Sequence, residues 1–94
     1  MSLVPNARAD LKAIAKFTIE KFGEEQSLRY AQGFRTILAD LADNPELGRR
    51  YVAVKDKMFS RYRFKAHVIF YYVENGKIFI VRVLSRSNGF PKTP

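Results

Sequence analysis

The 94-residue chain has no cysteine, no tryptophan and a single histidine. Without thiols there is no disulfide framework, thiolate zinc site, iron–sulfur cluster or cysteine nucleophile, and one imidazole excludes His-rich metal sites and His pairs. Long apolar runs are missing too. The longest, Val68 to Val73, has six residues, against the roughly 18 that a membrane helix needs. The N-terminus shows no long apolar signal segment, so a cytoplasmic protein without membrane contact is expected. No metal, no cofactor and no catalytic residue is expected either. Acidic residues are scarce in one half only: residues 1–46 carry 6 Lys/Arg and 7 Asp/Glu, whereas residues 47–94 carry 11 Lys/Arg and 2 Asp/Glu. One part of the folded surface therefore holds nearly all of the net charge of +8, which points to a polyanionic or acidic partner.

What is present suits one compact domain over 1–94, with 47% hydrophobic residues and 13 Phe or Tyr to fill a modest core. Pro5 and Asn6 start a helical pattern whose stripe is Leu11, Ile14, Ala15, Thr18 and Phe22, and Gly23 ends it. A second helix begins at Glu24 and Glu25, acidic residues that suit a helix N-terminus, and runs to about Ala42. Its stripe is Leu28, Ala31, Phe34, Leu38 and Leu41, and Asn44 and Pro45 stop it. So short a connection makes the pair an antiparallel helix hairpin.

After Gly48 the period changes to 2. Tyr51 to Val54 is a short strand, and Phe59 to Phe64 a second in which Arg61, Arg63 and then Lys65 alternate to one side of Tyr62 and Phe64. Asn75-Gly76 between two apolar runs marks a two-residue type I′ hairpin, which sets Tyr72 opposite Phe79, Tyr71 opposite Ile80, Phe70 opposite Val81 and Ile69 opposite Arg82. Parity then places Val68, Phe70, Tyr72, Phe79, Val81 and Val83 beneath the helices. His67, Ile69, Tyr71, Val73, Ile78, Ile80, Arg82 and Leu84 form the other face, left uncovered as a candidate partner surface. The core is expected over 5–84, with a flexible tail over 85–94 where Asn88-Gly89 and two prolines fall. The fold class is α+β: an antiparallel helix hairpin packed on one face of a small antiparallel β-sheet.

Several segments in this order resemble the ParE toxins of the RelE/ParE superfamily. They are Ala7 to Ile14, Phe22-Gly23-Glu24-Glu25-Gln26, Leu41-Ala42-Asp43-Asn44-Pro45 with Leu47-Gly48-Arg49, His67-Val68-Ile69-Phe70-Tyr71, and Ile80-Val81-Arg82-Val83-Leu84. The resemblance implies an N-terminal strand, here only Met1 to Val4, beside the helix hairpin and sheet. It also implies a toxin that binds DNA gyrase or the gyrase–DNA complex and is neutralised, in a hetero-oligomer, by an acidic antitoxin, ParD-like or other. The family's usual ending after the last strand is replaced by Leu84-Ser85-Arg86-Ser87-Asn88.

On that basis the antitoxin surface is expected at His67, Ile69, Tyr71, Ile80 and Arg82. The target surface is expected at Arg49, Arg61, Arg63, Lys65 and Arg86. The ribonuclease branch of the superfamily supplies the alternative, an mRNA endoribonuclease using Arg61, Lys65, Arg82 and Arg86. Such chemistry must deprotonate a 2′-hydroxyl and protonate a leaving oxygen, and after Arg86 there is no Tyr or His to do so. His67 and Tyr71 match the family's structural His-Val-Ile-Phe-Tyr strand instead. A degenerate toxin that only binds antitoxin is the remaining alternative.

Overall fold

The structure, a computed structural model, describes residues 2–85. A two-residue strand β1 (Ser2–Leu3) leads into helix α1 (Pro5–Phe22), helix α2 (Glu24–Asp43) and a 3-10 turn at Pro45–Leu47. Strands β2 (Arg49–Val54), β3 (Lys57–Phe64), β4 (His67–Glu74) and β5 (Lys77–Ser85) follow. They form one sheet in the order β1-β5-β4-β3-β2, antiparallel except for the parallel β1–β5 pair. Pro5 occupies the first helical turn, where its fixed φ costs nothing. Gly23, at φ 92, is the one-residue connection that doubles α2 back along α1.

The core lies between the hairpin and one sheet face. Phe34, Leu38 and Leu41 of α2 and Ala7 of α1 pack on Ile69, Tyr71, Ile78, Ile80 and Val83, with Leu11, Ile14, Tyr62 and Phe64 at the margin. Phe22 and Leu28, expected on the helix stripes, overhang at the hairpin tip and are 61% and 64% exposed. Ser85, expected to open the tail, is instead the last residue of β5; the tail from 86 onward lies outside the described residues.

Parity assigned the two sheet faces the wrong way round. Asn75 and Gly76 both have positive φ, 54° and 76°, as a type I′ turn requires, and the four pairs from Glu74–Lys77 to Tyr71–Ile80 are those the turn dictates. Beyond them the register slips: Phe70 faces Arg82, Ile69 faces Val83 and Val68 faces Leu84. Val81 is the extra residue of a β-bulge, and it reverses the alternation for the rest of β5. Of the residues expected beneath the helices, Val83 alone joins the helix-side core. Ile69, Tyr71 and Ile80, expected on the uncovered face, are at 0% exposure in that core.

The helices cover the more aliphatic face because its two polar residues cause no conflict there. The bulge takes Arg82 out of the Ile80 row, and His67 finds a hydrogen-bond partner on α2. The opposite face is rich in rings that shield one another. Phe59, Tyr72 and Phe79 pack in a row with centroids 5.3 and 5.1 Å apart, and Tyr51 lies 5.5 Å from Phe70. Val68 and Phe70, 4% and 7% exposed, belong to this side, paired with Arg63 and Arg61.

Tyr71 fastens the sheet to the segment leaving α2. Its hydroxyl donates to the Pro45 carbonyl and accepts the Gly48 N–H at 3.0 Å. The approach requires glycine, since a Cβ on Gly48 would lie 2.1 Å from that oxygen. Tyr71→Phe is expected to lower the unfolding free energy by about 1–3 kcal/mol, because the half-buried Gly48 N–H and Pro45 carbonyl lose their partner. Gly48→Ala should cost at least as much, and the double variant less than the sum, because the hydroxyl and the added methyl compete for one space. Urea denaturation of the four proteins measures all three terms.

Candidate interaction surfaces

Helix α1 is tied to β5 at the bulge. The Asp10 carboxylate, one turn into α1, accepts the Arg82 Nε at 2.7 Å and Nη2 at 3.0 Å, and its Oδ2 also accepts the Val83 backbone N–H at 2.8 Å. A bulge frees a ladder N–H, and the carboxylate satisfies it. Arg82 is thus part of an internal pair, with its side chain still 45% exposed.

His67 sits at the start of β4 in an aromatic box. Its Nδ1 lies 2.6 Å from the Tyr30 hydroxyl, and the rings of Phe34 and Phe64 close the surroundings, 4.8 Å apart. The Tyr30 hydroxyl and the imidazole are thus joined by one hydrogen bond across α2 and β4. Burial pushes the Tyr30 phenol up from 10.0 and the imidazole down from 6.5. Both groups are therefore neutral near pH 7, joined as donor and acceptor.

Beside this box runs a groove of about 780 Å³ between α1 and the ends of β4 and β5. Phe17 and Phe22, 56% and 61% exposed, supply its apolar wall. Lys21, Lys65 and Arg82 rim it, and His67 lies at its floor. It is an apolar trough edged with cations.

The second surface is the sheet face that the helices leave open. Arg61 and Arg63 pair across β3–β4 with Phe70 and Val68, on the side away from Tyr62 and Phe64, and Arg49 faces Arg61 across β2–β3. The Arg61 guanidinium lies 5.2 Å above the Tyr51 ring, and Lys57 lies 5.2 Å above Tyr72. All three arginines are exposed.

The residues proposed from sequence therefore divide. Arg49, Arg61 and Arg63 share the open face, while Lys65 stands in the β3–β4 turn over the Phe64 ring, 5.8 Å away. Arg86 lies outside the described residues. Of the five antitoxin candidates, His67 and Arg82 reach the groove, and Ile69, Tyr71 and Ile80 lie beneath the helices. Their place under the hairpin removes the uncovered face on which that assignment stood. Sequence reasoning did not identify Asp10, Tyr30 or the exposed Phe17. The first two partner residues more than 35 positions away, which no local pattern reports, whereas Phe17 falls outside the α1 stripe and was legible as exposed.

The groove brings Lys21, Lys65 and Arg82 beside the Tyr30–His67 pair, whereas Arg49, Arg61 and Arg63 stand apart from it. Arg61 and Arg63 are on one side of the sheet, and the Tyr30–His67 pair is on the other. Among the described residues no three His, Cys, Asp or Glu side chains gather as metal ligands, and no helix is long and apolar enough to cross a membrane.

Comparison with known proteins bears on the family and the fold. The family profile described as the ParE toxin of the type II toxin–antitoxin system parDE matches residues 2–90. Among solved structures, a chain of the chromosomal ParDE TA system from P. aeruginosa superposes with a TM-score of 0.71 at 24% identity, over 90% of this chain and 95% of that one. No curated protein matches the sequence significantly.

Two measurements follow from these contacts. Asp10→Ala should destabilise by about 1–3 kcal/mol, since it orphans the Val83 N–H, and Arg82→Ala should cost less, because the Asp10 carboxylate, 14% exposed, keeps the Val83 N–H and the lost guanidinium is 45% exposed. Equal losses in urea titrations would mean that the ion pair, not the bulge, is what Asp10 supports. For His67 the sign is set by its lowered pKa: as pH falls through the unfolded value near 6.5, the unfolded chain takes up a proton that the folded chain still refuses. The stability attached to neutral His67 is full above that value and declines below it. His67→Gln should flatten this part of the stability profile between pH 7.5 and 5, as read by denaturation at each pH.

Proposed function

The chain belongs to the ParE toxin family of type II toxin–antitoxin systems, and from that premise we propose that it acts by binding DNA gyrase, or the gyrase–DNA complex, through the open sheet face. The observation that carries this reading is the exposed row Arg49, Arg61 and Arg63, which meets no carboxylate among the ion pairs of the described residues. A binding surface needs no acid–base pair, and membership of the ParE family favours inhibition without catalysis over the endoribonuclease alternative. Gyrase and its DNA place the action in the cytoplasm.

The partner that neutralises it is a cognate, ParD-like antitoxin, and the groove beside α1 suits an acidic amphipathic segment of it. Phe17 and Phe22 would receive the apolar side chains, and Lys21, Lys65 and Arg82 the carboxylates. Two partners on different faces also explain why the charge is spread over both.

Gyrase supercoiling and cleavage assays test the target. The wild-type protein should inhibit supercoiling or accumulate cleaved DNA while leaving mRNA intact with or without ribosomes. Arg61→Glu with Arg63→Glu should raise the half-inhibitory concentration at least tenfold and leave antitoxin binding unchanged. Inhibition unaffected by the double reversal, or cleavage of mRNA on ribosomes, would overturn the reading.

A further inference from the structure

The seam between the two helices has a hole with knobs beside it. A cleft of about 280 Å³ lies between α1 and α2, lined by Leu11, Ile14, Ala15, Ala31 and Leu38, with the exposed Arg35 at its margin. The hydroxyls around it are already committed: Thr18 donates to the Ile14 carbonyl at 2.7 Å, Ser27 to the Ala15 carbonyl at 3.4 Å, and Tyr30 is bonded to His67. The space therefore suits apolar atoms, and left unfilled it forgoes the dispersion contacts of a packed core. Ile19 lies one helical turn beyond Ala15, and Leu28 one turn before Ala31, so both stand at the tip end of the same seam. Both are exposed, and neither lines this cleft or the groove beside α1.

Charge changes sign along this seam. Lys12, Lys16 and Glu20 follow one another at successive turns of α1, and Glu24, Leu28 and Arg35 share a ridge of α2. The hairpin thus has an acidic tip, at Glu20 and Glu24, and a basic shaft, at Lys12, Lys16 and Arg35. All five side chains are exposed, and none enters an ion pair among the described residues. An acidic partner laid along the seam is repelled by the tip, and a basic partner by the shaft. A second copy of this chain satisfies both ends. Met antiparallel about a two-fold axis, each acidic tip lies on the other copy's basic shaft, and each Ile19 and Leu28 lies toward the other copy's cleft. Such self-complementarity is what a two-fold interface requires. Elsewhere two copies repel, since residues 47–94 carry 11 Lys/Arg against 2 Asp/Glu.

We infer that the helix seam is the interface of a homodimer, in which two copies of this chain pack their hairpins as four helices. The inference is independent of the reading above. It needs neither gyrase nor antitoxin, and it uses neither the open sheet face nor Phe17 and Lys21 of the groove.

Sedimentation equilibrium of the full chain tests it, at concentrations from about 10 to 300 µM, because a single helix seam falls in the small, weak class of interfaces. The wild-type protein should pass from monomer to dimer across that range with no larger species, since a two-fold contact closes on itself. Leu28→Glu should raise the dissociation constant about tenfold or more. Reversing the shaft, Lys12→Glu with Arg35→Glu, should do the same, and so should reversing the tip, Glu20→Lys with Glu24→Lys. An equimolar mixture of the two reversed proteins should dimerise within about threefold of the wild type, because each shaft again meets a tip of opposite sign. The shaft variant is the most telling, as it halves the net charge of +8 and would associate more tightly if general repulsion alone governed the molecule. A monomer throughout the range, a dimer indifferent to Leu28→Glu and to both reversals, or a mixture no tighter than its components would overturn the proposal. So would a wild-type monomer whose Ile19 and Leu28 amide resonances move only when the cognate antitoxin is added, which would give the seam to that partner. None of these outcomes bears on gyrase inhibition, and failure of gyrase inhibition leaves the dimer standing.

Discussion

The carboxylate of Asp10 at the β5 bulge is the contact on which the arrangement of both faces depends. Its Oδ2 holds the Val83 N–H, and both of its oxygens grip the Arg82 guanidinium. Through it α1 is fixed against β5, and with α1 the whole hairpin is fixed over the Ile69, Tyr71 and Ile80 face. The alternation of β5 reverses at Val81, so Val83 can join the same core as Ile80 although the two are three residues apart. Arg82, which would otherwise crowd an aliphatic row, is taken out of it and bonds Asp10. The opposite face is left open as a consequence, with its rings packed on one another and its arginines exposed.

Much of this was legible in the residues. Pro5, Gly23 and the Asn44-Pro45 pair gave both helices nearly to the residue, and Asn75-Gly76 gave the hairpin turn and the first four pairs of its register. The alternation of Arg61 and Arg63 against Tyr62 and Phe64 correctly separated surface from core. The bulge was not legible. Ile80-Val81-Arg82-Val83 contains no glycine or proline to mark an extra residue, and the carboxylate that stabilises it comes from Asp10, far away in the sequence. Without the bulge, Arg82 counts against the face that the helices in fact cover, and His67 counts against it too because its hydrogen-bond partner is Tyr30 of α2. Tyr71 misled in the same way, since the carbonyl and N–H that satisfy its hydroxyl belong to the turn after α2. A buried polar atom is costly only where its partner is missing, and these partners come from distant segments.

The two faces suit two different kinds of partner. The groove beside α1 combines exposed aromatic side chains with a cationic rim, the chemistry of an acidic amphipathic segment that orders on binding. The open sheet face is flatter and carries unpaired guanidinium groups among rings, which favours fast, salt-sensitive association with a polyanion. A toxin built this way can be restrained at one surface while its other surface stays chemically intact. Neutralisation would then work by blocking access or by changing the toxin's assembly, without remodelling the arginine row. The internal contacts at Tyr71 and Asp10 give the sheet the rigidity that such a surface needs.

The division of labour between the faces is the central claim, and site-specific photo-cross-linking tests it most directly. A photoreactive side chain is placed at position 63 on the open face or at position 17 in the groove, and each protein is irradiated with gyrase on DNA and, separately, with the cognate antitoxin. The account predicts that position 63 captures gyrase or its DNA and not the antitoxin, and that position 17 captures the antitoxin and not gyrase. Capture of gyrase from position 17, with none from position 63, would contradict it.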